Sequence, residues 1–479
     1  MTLTTMKNHS RNTTLRRGSA NMLSAGLVLA MLSGCSAVVR TPYQQPTLNM
    51  PVQFSQQNPQ ATGVNIDQIK DQWWTLFQDA ELNRLVEQAL QRNNDLAVAG
   101  IRLKQAREQA GLARNQQLPR VSASSSASHQ VQLRDGEDSS RGFSLNGSVS
   151  YEVDLWGKLA SQTDAAKWEA SATQQDLQST AQTLVGTVCT LYWQVAYLNQ
   201  RISSSEASVN SSKKLYELVK AQYQAGAVSG LEMAQAEQAV VGQQANYSQL
   251  LQQRIEALNA LSILFDQPPA ALSIAEPSRL STIKLPDIQA GLPADLLARR
   301  PDLQAAELRL RKALANTDAT KASYYPSLSL SSSIGTSSTS LTELLKNPVM
   351  TLGAGLSLPF LQYNDMQRNL AISKLDYESA IISFRQTLYS ALADVDNALS
   401  ANTQLKVQAD AQQRTLVLAK KSESLNEIRY RAGAVALKQW IDAQESRRNA
   451  ENSAIQIRLN QLNNMVTLMQ SLGGSPVKS

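Results

Sequence analysis

The chain has 479 residues and a formal net charge of +6, and only 5% of its residues are aromatic. Four of the positive charges (Lys7, Arg11, Arg16 and Arg17) lie within residues 1–34, so the remainder of the chain carries only +2 (6 − 4). A nearly neutral chain lacks the basic surface that binding to nucleic acid requires, and nucleic acid is therefore not an expected partner.

Residues 1–34 have the pattern of a secretory signal peptide. A basic segment precedes an apolar run over residues 20–32, and this run is too short for a typical transmembrane helix. The run ends at Leu32-Ser33-Gly34-Cys35, which resembles a bacterial lipobox. The resemblance implies cleavage before Cys35, diacylglycerol on its thiol, an N-acyl chain such as palmitate on its amine, and no other cofactor. An ordinary signal peptide with an incidental cysteine is the alternative.

The rest of the chain contains two similar halves. Three segments of the first half recur 207 residues later: Asn94-Asp95-Leu96 as Pro301-Asp302-Leu303, Leu118-Pro119 as Tyr325-Pro326, and 223–228 as 430–435. Matches at one offset indicate an internal duplication, and so long a period indicates a repeated domain half rather than a solenoid unit. We expect a lipidated arm over 35–80, a first repeat over 81–265, a linker over 266–292, a second repeat over 293–472 and a tail over 473–479.

Each half contains segments in which hydrophobicity alternates with a period of two. Over residues 143–155, apolar residues and one glycine occupy the odd positions, and polar residues occupy the even positions. Weaker alternation over 121–133 predicts the partner strand of a hairpin. Alternation over 327–335 and over 350–360 predicts a second hairpin in the second half.

Helical periodicity dominates the remainder of both halves. It predicts a helix over residues 82–117 and further helices over 231–265 and 437–472. Leucines spaced seven apart and the absence of proline over 158–224 predict a coiled-coil helix roughly 100 Å long. Cys189 lies within this helical pattern, and we expect it to be a core residue without a disulfide partner.

The four predicted strands determine how the chain can meet a membrane. Each strand is about as long as the ~9–11 residues that cross a bilayer, with one apolar face and one face rich in Ser, Gly and Asn. Four strands cannot close a barrel, and open strand edges are not tolerated in lipid. The barrel must therefore be shared between chains. Two chains would give eight strands packed shut by side chains, and three would give twelve strands and could leave a channel.

In combination, these features resemble the TolC family of outer-membrane efflux proteins, in particular its lipid-anchored branch. The resemblance is carried by these stretches: Leu32–Cys35, Trp73-Trp74 with Asp79 and Leu82, Asp95-Leu96, Leu118-Pro119, Tyr151–Lys158, Leu297–Leu330, and Tyr430–Gly433 with Asp442-Ala443-Gln444. Residues 359–365 depart from the usual turn of the family, which is expected to reshape that turn without changing the fold.

The resemblance implies a fold that combines α-helices with membrane β-strands, in a homotrimer that forms a shared twelve-strand barrel on an α-helical periplasmic tunnel. It implies a lipid-anchored protein of the outer membrane, in contact with its lipid. It also implies two partners, a periplasmic adaptor protein and an inner-membrane efflux pump. The implied function is to conduct small toxic compounds or drugs, antibiotics among them, from the pump to the exterior.

The resemblance also implies a gate at the periplasmic end of the tunnel. By motif spacing, Asp442 matches the acidic constriction position, Tyr430 the latch tyrosine, and Glu232 an acidic latch partner in the first half. Symmetry-related carboxylates would attract cations, and a tyrosine–carboxylate hydrogen bond could hold helix pairs together. Val435 and Lys438 depart from the family pattern. Lys438 lies four residues before Asp442, so these two could instead form an ion pair on a solvated helix face.

Other functional classes explain the sequence less well. His129 is the only histidine after the signal peptide, and the chain has no P-loop, HExxH motif, glycine-rich dinucleotide loop or cysteine cluster. We therefore expect neither an enzyme nor a metal site. A lipid-anchored periplasmic coiled-coil protein would explain the heptads but not the two amphipathic hairpins. A passive porin would not explain the long helices.

Overall fold

The computed structural model describes residues 39–56, 64–66, 71–131, 139–269 and 273–475, and these residues are mostly helical. The helices are α1 (Ala80–Arg92), α2 (Asn94–Asn115), α3 (Lys158–Gln224), α4 (Gly230–Ile263), α5 (Leu296–Arg299), α6 (Pro301–Ser323), α7 (Tyr363–Arg431) and α8 (Leu437–Ser471). The strands are β1 (Val64–Asn65), β2 (Arg120–Val131), β3 (Ser139–Val153), β4 (Ile288–Gln289), β5 (Ser327–Ser338) and β6 (Val349–Ser357). The predicted signal peptide and Cys35 lie outside the described residues.

The described chain forms two compact units. The first contains strands β2, β3, β5 and β6 and comprises residues 39–47, 104–172 and 307–384. The second contains both clusters of buried hydrophobic residues and comprises residues 48–103, 173–306 and 385–475. Helices α3 and α7 each contribute residues to both units.

The single helix predicted over 82–117 is wrong, because the structure has two helices that are separated at Asn93. The Asn93 backbone is extended, with ψ at 130°. Its side-chain oxygen accepts a hydrogen bond from the backbone N–H of Leu96 at 3.0 Å, so Asn93 caps α2. Asp79 caps α1 in the same way, through the N–H groups of Glu81 and Leu82. The apolar periodicity continues across the break and therefore conceals it.

The longest helices run without interruption. Helix α3 has 67 residues, which corresponds to roughly 100 Å at ~1.5 Å per residue. Within the second unit, Leu184 and Leu198 from its leucine series are buried, as are Val188 and Val195 between them. Helix α7 in the second half has 69 residues. None of the described helices combines the length and the apolar character needed to cross a membrane.

The four long strands form one antiparallel sheet in the order β2-β3-β5-β6. The two hairpins predicted from the sequence are not separate but joined in this sheet, because β3 and β5 pair directly, with Tyr151 opposite Leu330 and Gly147 opposite Ile334. This pairing joins the two halves of the chain through backbone hydrogen bonds. It leaves β2 and β6 as the two outer strands of the sheet.

The strand register aligns the alternation of all four strands. Directly opposed residues of antiparallel strands share a face, so Val121 and Val149 lie on the same side as Leu330 and Leu356. The other face carries serine, glycine, threonine and asparagine along the paired central stretches. Serine hydroxyls bond across strands on that face, as in the Ser122–Ser148 pair at 2.7 Å. One face of the sheet is therefore apolar, and the other is rich in hydroxyl groups.

The turns from the sheet into the long helices are fixed by specific contacts. The Asp154 carboxylate accepts hydrogen bonds from two backbone N–H groups in the first turn of α3, at 3.1 and 2.8 Å. The Trp156 indole donates to the Pro326 carbonyl at 2.8 Å, which links the two halves within the first unit. At the equivalent turn after β6, where the sequence departs from the family pattern, Pro359–Leu361 form a short 3-10 helix.

The core of the second unit is organised by aromatic residues near the start of the ordered body. Trp73, Trp74 and Phe77 are buried, and Phe77 meets Trp193 edge-on at 5.3 Å between ring centroids. The hydroxyl of the neighbouring Tyr192 donates to the Asp79 carboxylate at 2.8 Å. The short motif over residues 73–79 thus anchors the start of the body to α3.

Arg300 connects the start of the second half to the other helices of the second unit. Its side chain is only 12% exposed, and it pairs with Asp302 at 2.7 Å and with Asp394 at 3.3 Å. It also donates to the Ser471 carbonyl at the end of α8. Since a buried charge is stable only with partners, this network fixes α6 against α7 and α8.

We expect Gly473→Ala to destabilise the protein more than Gly226→Ala. Both glycines have positive φ, +83° and +72°, so both substitutions incur the left-handed backbone cost of roughly 1–2 kcal/mol. A Cβ at Gly473 would also lie 2.8 Å from the Arg299 backbone, whereas one at Gly226 would meet nothing within 4 Å. Thermal unfolding in detergent measures the difference. Equal falls in Tm would contradict the close packing at Gly473.

Candidate functional site

The predicted gate residues lie near two helical turns that have the same backbone geometry. Gly226 follows α3 and Gly433 follows α7, with φ at +72° and +71°. In each turn the glycine N–H donates to the carbonyl of the tyrosine three residues earlier, Tyr223 or Tyr430. A left-handed residue after a helix favours glycine, which has no Cβ, and each of these glycines ends one helix shortly before the next begins.

A small hydrophobic cluster lies beside these turns, and we call it the tip cluster. Its buried members are Leu215, Val219, Ala236, Leu437 and Trp440. They come from α3, α4 and α8, and Tyr430 of α7 packs against them. The tip cluster therefore joins the helical pair of the first half to that of the second half within one chain.

Tyr430 is held in the tip cluster by two side chains. Its hydroxyl donates to the Gln222 side-chain oxygen at 2.9 Å. Its ring lies against the Trp440 ring, with 5.3 Å between centroids. Burial and the nearby negative charge of Glu232 raise the pKa of Tyr430, so its hydroxyl stays protonated and able to donate. Within one chain, the acceptor for the predicted latch tyrosine is thus an amide rather than a carboxylate.

Glu232 is engaged at the start of α4. Its carboxylate accepts hydrogen bonds from the Ser229 backbone N–H, at 3.0 Å, and from the Ser229 hydroxyl. With the Ser229 cap of the helix, these bonds form a capping box. The Ser229 hydroxyl bond lowers the pKa of Glu232, which therefore stays ionised at neutral pH. Glu232 thus has a local structural role in addition to any part in a gate.

Asp442 lies on an exposed face of α8. It pairs with Lys438 one helical turn earlier, at 2.9 and 3.0 Å, and the side chains are 60% and 65% exposed. Exposed pairs of this kind contribute only about 0–1 kcal/mol. The structure therefore contains the Lys438–Asp442 ion pair that the sequence offered as an alternative to the gate role. Asp442 is not a member of the tip cluster of its own chain.

Two residues of this site were not found from the sequence. Trp440 and Gln222 position Tyr430, but neither belongs to the motif quoted for the gate. Trp440 follows Leu437 by three residues, a spacing that puts both on one helix face and was a usable signal. Nothing in the local sequence singles out Gln222, because its role depends on which helices meet.

The arm that follows Cys35 is fixed to the first unit from its first described residues onward. The backbone N–H and the hydroxyl of Thr41 donate to the two oxygens of Asp318, at 2.8 and 2.7 Å. Arg40 pairs with Asp164 at 2.8 Å. These contacts hold the described start of the arm against α6 and α3.

The described residues contain neither a reactive thiol nor a group of metal ligands. Cys189 is completely buried in the core, and burial raises the pKa of its thiol, so it is not a reactive nucleophile. In the part of the chain that the structure covers, no three His, Cys, Asp or Glu side chains are grouped as metal ligands.

Comparison with known proteins identifies the family. The family model described as outer membrane efflux protein matches residues 85–265 and 292–474. The chain belongs to the outer membrane efflux protein family. The toxin and drug export protein A of Aggregatibacter actinomycetemcomitans is 32% identical over 407 residues, which cover 85% of this chain and 89% of that protein. The pyoverdine export outer membrane protein OpmQ of Pseudomonas aeruginosa is 32% identical over 413 residues, which cover 84% and 87%.

Solved structures give the same assignment. The open state of the Neisseria gonorrhoeae MtrE outer membrane channel matches with a TM-score of 0.78 and 27% identity, covering 91% of this chain and 98% of that one. The predicted TolC-like family is confirmed. This efflux protein is not an enzyme but the outer-membrane component of a tripartite efflux system, with a periplasmic helical extension. It works with an adaptor and an inner-membrane pump.

Proposed function

We propose that three copies of this efflux protein close one shared twelve-strand β-barrel and so form the export channel. The observation that carries the proposal is the four-stranded sheet with β2 and β6 as its outer strands. Backbone groups at an open edge are not tolerated in lipid, so β2 of one copy must pair with β6 of the next. Two copies would give eight strands, whose interior side chains fill, whereas three give twelve strands and room for a channel.

The two faces of the sheet support a membrane position. Apolar side chains such as Val121, Leu352 and Leu356 are 78%, 74% and 67% exposed in the single chain. These side chains would face lipid in the barrel. The serine-rich face would line a wet channel, as in other membrane barrels. Strands of 9 to 15 residues are long enough to cross a bilayer.

The long helices support the same assembly. Helix α7 leaves a series of large apolar side chains exposed, including Ile372, Leu375, Ile382, Leu418 and Ile428. Neighbouring copies would cover such residues in a helical tunnel below the barrel, since removal of apolar surface from water is favourable. The alternative, a lipid-anchored periplasmic coiled-coil structural or adaptor protein, would as a monomer leave both these residues and the sheet edges uncovered.

The relatives indicate the class of cargo. One is named for toxin and drug export, another for pyoverdine export, and a third, from Escherichia coli, is the cation efflux system protein CusC. We propose that this channel conducts small toxic compounds or drugs delivered by its pump. The hydroxyl-lined face of the sheet carries no charge along its central stretch and is suited to passing varied solutes.

The gate is proposed to involve Asp442, Glu232 and Tyr430. In a trimer, three copies of Asp442 would surround one axis, where they would repel each other and attract cations. Tyr430, through its bond to Gln222, and Glu232, at the start of α4, would hold the two helical pairs of one chain together beside this ring. The Lys438 partner of Asp442 would partly offset the acidic ring, and it sets this chain apart from the family pattern.

We expect the double variant Asp442→Ala with Glu232→Gln to conduct more current per channel than the wild type in planar bilayers. The first change removes the acidic ring, and glutamine preserves the capping box at Ser229 while removing the charge. The matched control is Glu445→Ala with Glu427→Gln, because these carboxylates pair with Arg448 and Arg431 of their own chain. Equal conductance in the double variant and the control would contradict the gate.

Lipidation of Cys35 predicts the number of free thiols in the mature protein. The native protein should have none that react with a maleimide, because Cys189 is completely buried. The denatured chain should have one, since a thioether at Cys35 cannot react. In Cys189→Ala, the denatured chain should have none. Two reactive thiols per denatured chain would show that Cys35 is unmodified.

A further inference from the structure

The duplication allows contacts within one chain to predict contacts between copies. In the proposed ring, first halves and second halves alternate. Each half therefore contacts the other half of its own chain on one side and a half of the neighbouring copy on the other side. A residue pair that meets within the chain therefore has an equivalent pair, shifted by 207 residues, that meets between chains. This step rests on the trimeric ring of the proposed function.

The junction within the chain is apolar at the tip. Leu215, Val219 and Gln222 of α3 lie with Tyr430, Leu437 and Trp440 of the second half. We call this set the inner seam. Leu215, Val219, Leu437 and Trp440 are at most 6% exposed. Tyr430 and Gln222 add the hydrogen bond of 2.9 Å described above. Burial of this apolar surface holds the inner seam together.

The equivalent junction between copies is polar. The shift of 207 residues replaces the inner seam by another set, which we call the outer seam: Leu215 by Ser422, Val219 by Asn426, Gln222 by Arg429, Tyr430 by Tyr223, Leu437 by Gly230, and Trp440 by Met233. Two aliphatic side chains thus become a serine and an asparagine, and a third becomes a glycine. The outer seam has lost most of the apolar surface that stabilises the inner seam, and its Met233 packs against the tip cluster of its own chain.

The single chain leaves two side chains of the outer seam unsatisfied. Tyr223 is 46% exposed, although its equivalent Tyr430 is packed and hydrogen-bonded. Arg429 is also exposed. Within the described part of its own chain, neither side chain has a hydrogen-bond or ionic partner, whereas the nearby Arg431 pairs with Glu427.

We propose that the tip of the channel is closed by the outer seam, in which Tyr223 of one copy meets Arg429 of the next, and that the channel opens along this seam rather than along the inner seam. An arginine guanidinium can lie on a tyrosine ring and can donate to its hydroxyl oxygen. In this outer pair the Tyr223 hydroxyl oxygen would accept a hydrogen bond, whereas in the inner pair the Tyr430 hydroxyl donates one to the Gln222 amide oxygen. A polar seam of this kind separates without exposing a hydrophobic core to water.

Crosslinking tests this arrangement with a control from the same chain. Tyr223→Cys with Arg429→Cys should be joined between copies by a short bis-maleimide that has a reducible spacer, giving covalent trimers on a denaturing gel. A linker is needed because long side chains in contact hold their backbones farther apart than a disulfide spans. Gln222→Cys with Tyr430→Cys should be joined within each chain and run as a monomer. Buried Cys189 should not react.

Conductance distinguishes a contact from a moving seam. The channel crosslinked at the cysteines of positions 223 and 429 should stay closed in bilayers when the adaptor and pump are added. The untreated channel should open under the same conditions. Reduction of the spacer should restore opening. Monomeric or absent crosslinks in a preparation with the mass of three chains would overturn the outer seam but not the trimer. A preparation that is not trimeric would overturn the proposed ring itself.

A single substitution provides a second test if the cysteine pairs fail to assemble. Arg429→Ala should raise the ratio of open to closed channels by about two- to fivefold for each seam, the factor expected for an exposed cation–π contact. The matched control is Arg431→Ala, which removes an exposed arginine two residues away whose partner lies in its own chain. An equal ratio in the two variants would contradict the assignment of Arg429 to the seam.

Discussion

Backbone hydrogen bonding at the sheet edges is the constraint on which the rest of the structure depends. Within one chain, the backbone groups of β3 and β5 hydrogen-bond to each other, but β2 and β6 each have one edge without a partner strand among the described residues. In water such edges can be solvated, whereas in a bilayer they must pair with another strand. We propose that the sheet, which is apolar on one face, lies in the bilayer, where its two edges would pair with strands of neighbouring copies. The exposed apolar residues of α7 would likewise be covered by neighbouring copies in the aqueous region.

The duplication explains how one chain can serve a ring while keeping its halves distinct. Equivalent turns at Gly226 and Gly433 have the same backbone geometry, but the surrounding side chains have diverged. Trp440 and Gln222 hold Tyr430 inside the chain, while Tyr223 remains exposed. A ring of identical halves would have six equal seams. In the proposed ring, divergence at the tip would give strong seams within chains and weak seams between them, and the tunnel would open along the weak seams.

Local patterns in the sequence revealed much of this fold. The alternation over 143–155 is visible because a period of two reports directly on two different environments. The pairing of β3 with β5 was not predictable in the same way, since it depends on contacts between distant segments. The break at Asn93 was missed because apolar residues continue across it. Motif spacing predicts Tyr430, Glu232 and Asp442 as gate residues. It does not reveal Trp440 and Gln222, because these contact Tyr430 only where separate helices meet.

The most direct test of the shared barrel is the mass of the protein extracted from outer membranes in detergent, with the contributions of detergent and lipid subtracted. Light scattering combined with refractive index and absorbance provides this mass. The sheet with two unpaired edges predicts three chains per particle, since twelve strands close a barrel that leaves a channel. A folded particle with the mass of one chain would contradict the account, because four strands cannot close a barrel alone.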